Sequence, residues 1–164
     1  MDFSNTHTYP ASFEKVVETN YSKEFIEQLD TIEDVLVPEL QEHSSEDTKI
    51  SCKTSWQFSG KLDAIANALL MGKPLTWVQT IEIDKDTKTG TIEVVYMGRK
   101  IPSNCSATLT FTDNEDGTCT RELKGSIFVK IMMAGPTIEK RLVEGLENRF
   151  ASEADALDAY LKSK

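Results

Sequence analysis

Few side chains in this 164-residue chain can do acid–base or nucleophilic chemistry. The two histidines stand in different settings: His7 in an alternating run with Asn5 and Tyr9, His43 in the polar run Glu42-His43-Ser44-Ser45-Glu46. A zinc site asks for several His or Cys ligands at short fixed spacings, and neither these residues nor Cys52, Cys105 and Cys119 are so placed. No metal or cofactor is therefore expected. A histidine at the position of His7 can hold or protonate a ligand, and it can equally pack its ring and hydrogen-bond within a sheet. It has no carboxylate or nucleophile at a recognisable spacing, so no catalytic residue is assigned. Tyr9, Tyr96, Cys52 and Cys105 complete the titratable groups expected to point inward. Gly98, Gly117, Gly125 and Gly135 match neither a dinucleotide fingerprint nor a phosphate loop. Arg121 and the run Met97-Gly98-Arg99-Lys100 read as solvated charges near hairpin ends.

A second set points to binding. Trp56, Trp77, Tyr96 and Phe111 fall on faces expected to be buried, and rings with one polar tip supply area and orientation to an apolar ligand, although any core of sheet on helix uses the same residues. With His7, and with Leu142, Leu146 and Phe150 from the last segment, they form the candidate ligand-binding set.

The elements that must position these residues follow from periodicity. From Gly135 onward Ile138, Leu142, Leu146, Phe150, Ala154, Leu157 and Leu161 recur at steps of four and three, one stripe of a long helix. Glu139, Lys140, Arg141, Glu144, Glu147, Asn148, Arg149, Glu153 and Asp158 are expected on its wet face. Gly145 is explained either by close packing against a strand or by room for a ligand beneath the helix, at a cost of up to ~1 kcal/mol against Ala. Upstream, Phe3 to Tyr9 alternates as a strand that Pro10 ends. Ser12 and Ser22 are placed to cap two short helices. Val35 to Leu40, interrupted by Pro38, predicts a strand at an edge or with a bulge. Ile50 to Phe58 alternates cleanly, and Gly60 to Gly72 has helical spacing. Strands at Leu75–Ile83, Ile92–Tyr96, Cys105–Phe111 and Leu123–Ile131 follow, with Thr89-Gly90 and Asp116-Gly117 expected to make tight antiparallel turns. The three cysteines fall on inward faces, as free thiols packed like small core residues.

The length suits one domain spanning residues 1–164. A net charge of −9 and a pI near 4.8 argue against nucleic acid and an anionic membrane surface as partners. No stretch has the length and hydropathy of a membrane span, and the first residues lack the pattern of a signal peptide, so a cytoplasmic protein without stable membrane insertion is expected. Nothing in the sequence sets the oligomeric state.

A strand, two short helices, several antiparallel strands and one long terminal helix define an α+β domain whose sheet wraps the last helix. This order resembles the helix-grip fold of the START/Bet v 1-like (SRPBCC) superfamily. His7-Thr8-Tyr9-Pro10-Ala11-Ser12 resembles an opening common there, and Gly135-Pro136-Thr137-Ile138-Glu139-Lys140 with Glu153-Ala154 resembles, more narrowly, the DUF2505 family. The resemblance implies a cavity between sheet and helix that holds an apolar small molecule or lipid. It leaves open a cyclase- or dehydratase-type enzyme using the same cavity, and an interaction module without one.

Overall fold

The computed structural model describes residues 1–60, 64, 68, 71–97, 103–130 and 135–164. In chain order the elements are β1 (Asp2–Tyr9), α1 (Phe13–Asn20), α2 (Lys23–Ile26), a 3₁₀ turn (Leu29–Thr31), β2 (Glu39–Ser45), β3 (Lys49–Gln57), β4 (Thr76–Asp84), β5 (Thr89–Met97), β6 (Ser103–Asp113), β7 (Cys119–Val129) and α3 (Gly135–Lys162). The strands form one curved antiparallel sheet in the order β1-β7-β6-β5-β4-β3-β2. Consecutive hairpins give most of this order, and β1 closes it by pairing with β7, from Asp2↔Ser126 to Tyr9↔Cys119.

Local chemistry explains the start of the chain. Pro10 has no N–H to continue the β1 ladder. Ser12 then caps α1 by accepting from Lys15 N, and Ser22 caps α2 by accepting from Phe25 N at 3.2 Å. The 3.6-residue period buries Phe13, Val16 and Val17 on one face of α1. In the strands the two-residue period alternates buried and open positions, most cleanly in β3 and β6.

Several expectations need correction. The strand placed at Val35 to Leu40 begins later: Val35 makes an isolated bridge to Phe58, and β2 starts at Glu39 and runs through the polar segment containing His43, at the sheet edge as expected and with a bulge between Leu40 and Glu42. Pro38 blocks earlier pairing, and the edge strand is solvated on both faces, so it carries no alternation to detect. Gly90 lies within β5 opposite Ile83, where a Cβ would meet the Glu82 carbonyl at 2.6 Å; the turn residue with positive φ is Lys88, at 54°. Gly117 does occupy the β6–β7 turn, with φ of 82°. Of the helix expected between Gly60 and Gly72, Ala64 and Ala68 are helical and Met71 and Gly72 have positive φ; its apolar positions Leu62, Ile65, Ala66, Leu69 and Leu70 lie outside the described residues, as do Gly98, Arg99, Lys100 and Ile131.

The long helix is present, and Leu146, Phe150, Ala154 and Leu157 of its stripe are buried, joined by Val143. Its inward face also carries Arg149 and Glu153, which the periodicity assigned to solvent, and Arg121 of β7 is buried as well. Gly145 fits neither expectation, since it faces outward and a Cβ there meets nothing within 4 Å.

Candidate ligand site

The inner face of the sheet carries two cross-strand rows of candidate residues. In the first, Trp56 of β3 lies opposite Trp77 of β4, which lies opposite Tyr96 of β5. The indoles stack with centroids 6.1 Å apart and planes 3° from parallel. In the second, His7 of β1 and Phe111 of β6 lie on either side of Arg121 of β7. The predicted set thus divides between two rows on separate parts of the sheet. The His7 ring packs on Tyr9 at 4.7 Å, and Phe111 packs edge-on against Phe13 at 5.3 Å.

The terminal helix links the rows. Its closest backbone approaches are to β1, β7 and the 3₁₀ turn. Phe150 faces Phe3 at 6.2 Å, Leu146 is buried, and Leu142 is partly buried. From the same inward face Arg149 reaches across to the first row. Its Nη2 donates to Gln79 Oε1 on β4 at 2.6 Å, its Nη1 pairs with Glu153 at 3.2 Å, and its guanidinium lies 4.6 Å from the Trp56 ring centroid. Arg121 approaches the same Glu153 at 3.9 Å, donates to Asn5 Oδ1 at 3.2 Å and to the Phe150 carbonyl at 3.5 Å, and lies 5.6 Å from the Tyr9 ring. Two guanidiniums and one carboxylate are therefore buried together.

The helical sequence had one usable signal for this cluster. Arg149 and Glu153 are spaced i, i+4 as an ion pair requires, and both flank positions of the apolar stripe. Gln79 gave another, since it occupies an inward place in the alternation of β4 between Trp77 and Ile81. Arg121 likewise precedes Leu123 by two residues on the inward face of β7.

Burial sets the protonation states. It pulls the Arg149 guanidinium below its ordinary value, opposed mainly by Glu153. It drives the hydroxyls of Tyr9, Tyr21 and Tyr96 well above theirs. The thiols move the same way: burial pushes Cys52 up to about 12 and Cys105 and Cys119 to about 11. The phenols and thiols are neutral at ordinary pH, so the cysteines lack the thiolate needed for attack. Among the described residues no three His, Cys, Asp or Glu side chains gather to hold a metal ion.

Two donors at the first row stand out. Trp77 Nε1 and Arg149 Nε are buried and have no hydrogen-bond partner among the described residues, whereas Trp56 Nε1 donates to Thr54 Oγ1 at 2.9 Å. On the second row Tyr9 Oη and Arg121 Nε are also unpartnered.

The sheet wrapped about a long terminal helix places the molecule in the helix-grip class, the Bet v 1/START fold. Solved structures agree. A START superfamily protein from Mycobacterium smegmatis is 12% identical with a TM-score of 0.58, over 99% of this chain and 97% of its own. An aromatase/cyclase from a Streptomyces species is 11% identical with a TM-score of 0.65, over 99% and 93%. A protein from Thermus thermophilus is 14% identical with a TM-score of 0.65, over 98% and 99%. At such identities the likeness is one of fold. A search of curated proteins found no match. The family is set by sequence: the model of DUF2505, described as a protein of unknown function, matches residues 4–161, and the chain belongs to that family.

Proposed function

We propose that this protein binds a hydrophobic small molecule or lipid between the sheet and α3. The observation that carries the reading is the row Trp56–Trp77–Tyr96, two stacked indoles and a phenol on adjacent strands facing the interior, with the Trp77 N–H left without an acceptor. Most buried donors in a packed core are satisfied, and an orphaned indole N–H costs about 1–3 kcal/mol unless an acceptor, from a ligand or water, lies beside it. Leu142, Leu146 and Phe150 supply the helical wall, while His7 and Phe111 belong to the row around Arg121. No described helix is long and apolar enough to cross a membrane.

The proposed role is carriage or sensing rather than turnover. Tyr9, Tyr96, Cys52 and Cys105 are held neutral by burial and are poor bases at ordinary pH. An environment-sensitive apolar dye is expected to bind at about one per chain and to raise the melting temperature, because a ligand of the native state alone stabilises it. Native mass spectrometry of gently purified protein is expected to show a co-purifying apolar molecule. Unchanged dye emission together with no thermal shift across a lipid panel would remove the binder reading. Chemical conversion of the co-purified molecule by wild type, abolished in His7→Asn with binding retained, would replace it with an enzyme.

A further inference from the structure

The interior is not a neutral apolar space. Among the described residues the buried charged side chains are Arg121, Arg149 and Glu153, two cations and one anion. An uncompensated buried charge is expensive, and a buried ion pair by itself roughly breaks even. The two arginines are disposed differently toward the aromatic row. Arg121 lies on β7, close to the strands the helix covers, and its two Nη atoms approach Asn5, the Phe150 carbonyl and Glu153. Arg149 extends from α3 over Trp56 to Gln79 of β4, beside the row that carries the proposed site. Its Nε–H is open, and so is the Nε1–H of Trp77, whose ring stacks on the same Trp56.

We propose, resting on the binder reading, that the ligand is an amphiphilic anion, an apolar body bearing one carboxylate, and that Arg149 receives the carboxylate with the Trp77 indole N–H as the neighbouring donor. A guanidinium edge matches a planar carboxylate, and charge-assisted hydrogen bonds of this type are among the stronger ones. The incoming anion balances the excess charge and gives acceptors to buried donors that otherwise have none. Gln79 is a positioning residue that holds the Arg149 fork across the sheet. Trp56 fixes the plane of the guanidinium by cation–π contact.

The test compares three probes of equal chain length below their critical micelle concentrations: dodecanoate, its methyl ester and dodecylammonium. The chain's two tryptophans, Trp56 and Trp77, both lie in the row, so intrinsic emission reports directly on it. Wild type is expected to bind dodecanoate at least about tenfold more tightly than the ester, a difference of about 1.4 kcal/mol, and to bind dodecylammonium weakest. Arg149→Met is expected to bring acid and ester within about threefold while retaining ester binding, and Arg149→Lys to restore part of the preference. Gln79→Leu is expected to weaken acid binding alone.

Equal affinity of wild type for acid and ester, or preference for the amine, overturns the anion inference and leaves the binder reading standing. Failure of every probe to bind overturns both. Acid preference that survives in folded Arg149→Met removes Arg149 as the receiver. The wild-type comparison decides the charge preference even where the Arg149 variants fail to fold.

Discussion

Arg121 and Arg149 approach the same carboxylate and are almost equally buried, at 2% and 5% exposure, but their surroundings differ. Arg121 belongs to a strand, sits among β1, β7 and the helix backbone, and has a phenol ring beside it. Arg149 belongs to the helix and spans to a strand that the helix backbone does not closely approach, with an indole beneath it and a side-chain amide at its tip. A buried cation close to the packed elements joins pieces of the fold. Both arginines keep an Nε–H unpartnered among the described residues, and the one that reaches over the tryptophan row is placed to meet a ligand there. Glu153, at 3.2 Å from Arg149 and 3.9 Å from Arg121, ties the two regions together.

The largest expected effect comes from removing that tie. Glu153→Leu leaves two buried guanidiniums without their carboxylate and is expected to cost about 3–5 kcal/mol in urea denaturation. A loss under about 1 kcal/mol would mean that neither arginine depends on Glu153. The next effect separates the arginines. In double-mutant cycles with Glu153→Gln, the shorter Arg149 contact is expected to give a coupling of about 1–3 kcal/mol and the longer Arg121 contact less than about 1 kcal/mol. Reversed couplings would make Arg121 the principal partner and weaken the contrast.

The buried thiols extend the comparison to pH. After burial, the charge acting on Cys52 is Glu153, which raises it, and the charge acting on Cys105 is Arg149, which lowers it. A thiol whose folded pKa is raised is neutral in both states below its ordinary value of 9.0 and stays protonated only in the folded state above it. Stability is therefore expected to fall as pH rises past 9.0 toward the folded values, by about 1 kcal/mol per thiol near pH 10. Denaturation curves at neutral and alkaline pH test this, and Cys52→Ala is expected to flatten the decline. A decline that Cys52→Ala leaves unchanged would show that this thiol is not held neutral. The smallest effect is a control on the outer side of the same helix. Gly145→Ala meets open space and is expected to stabilise by about 0.5–1 kcal/mol without changing probe affinity. Destabilisation there would mean that the helix face is misassigned.

How much of this was legible depends on what each residue's neighbours in sequence could say. Alternation from Ile50 to Phe58 placed Trp56 inward because a strand with one wet face repeats every two residues, and pairing then set it opposite Trp77. The same logic failed for β2, where an edge exposed on both sides has no pattern to read. The helix stripe was visible in Leu146, Phe150, Ala154 and Leu157. Arg149 and Glu153 were misplaced because a charged residue at the border of an apolar stripe is assigned to water by default, and only an opposing charge makes its burial tolerable.

By itself the sequence determined the periodicities, the caps at Ser12 and Ser22, the turn at Gly117 and the order of elements, since each depends on contacts within a few residues of chain. The tertiary structure alone decided that Arg121, from β7, and Arg149 and Glu153, from α3, meet inside, that Gln79 receives Arg149 from 70 residues away, and that Gly145 faces water. Those outcomes follow from how a curved sheet closes on a helix, which brings distant charges into one low-dielectric space where their pairing, and not their local pattern, fixes whether they stay.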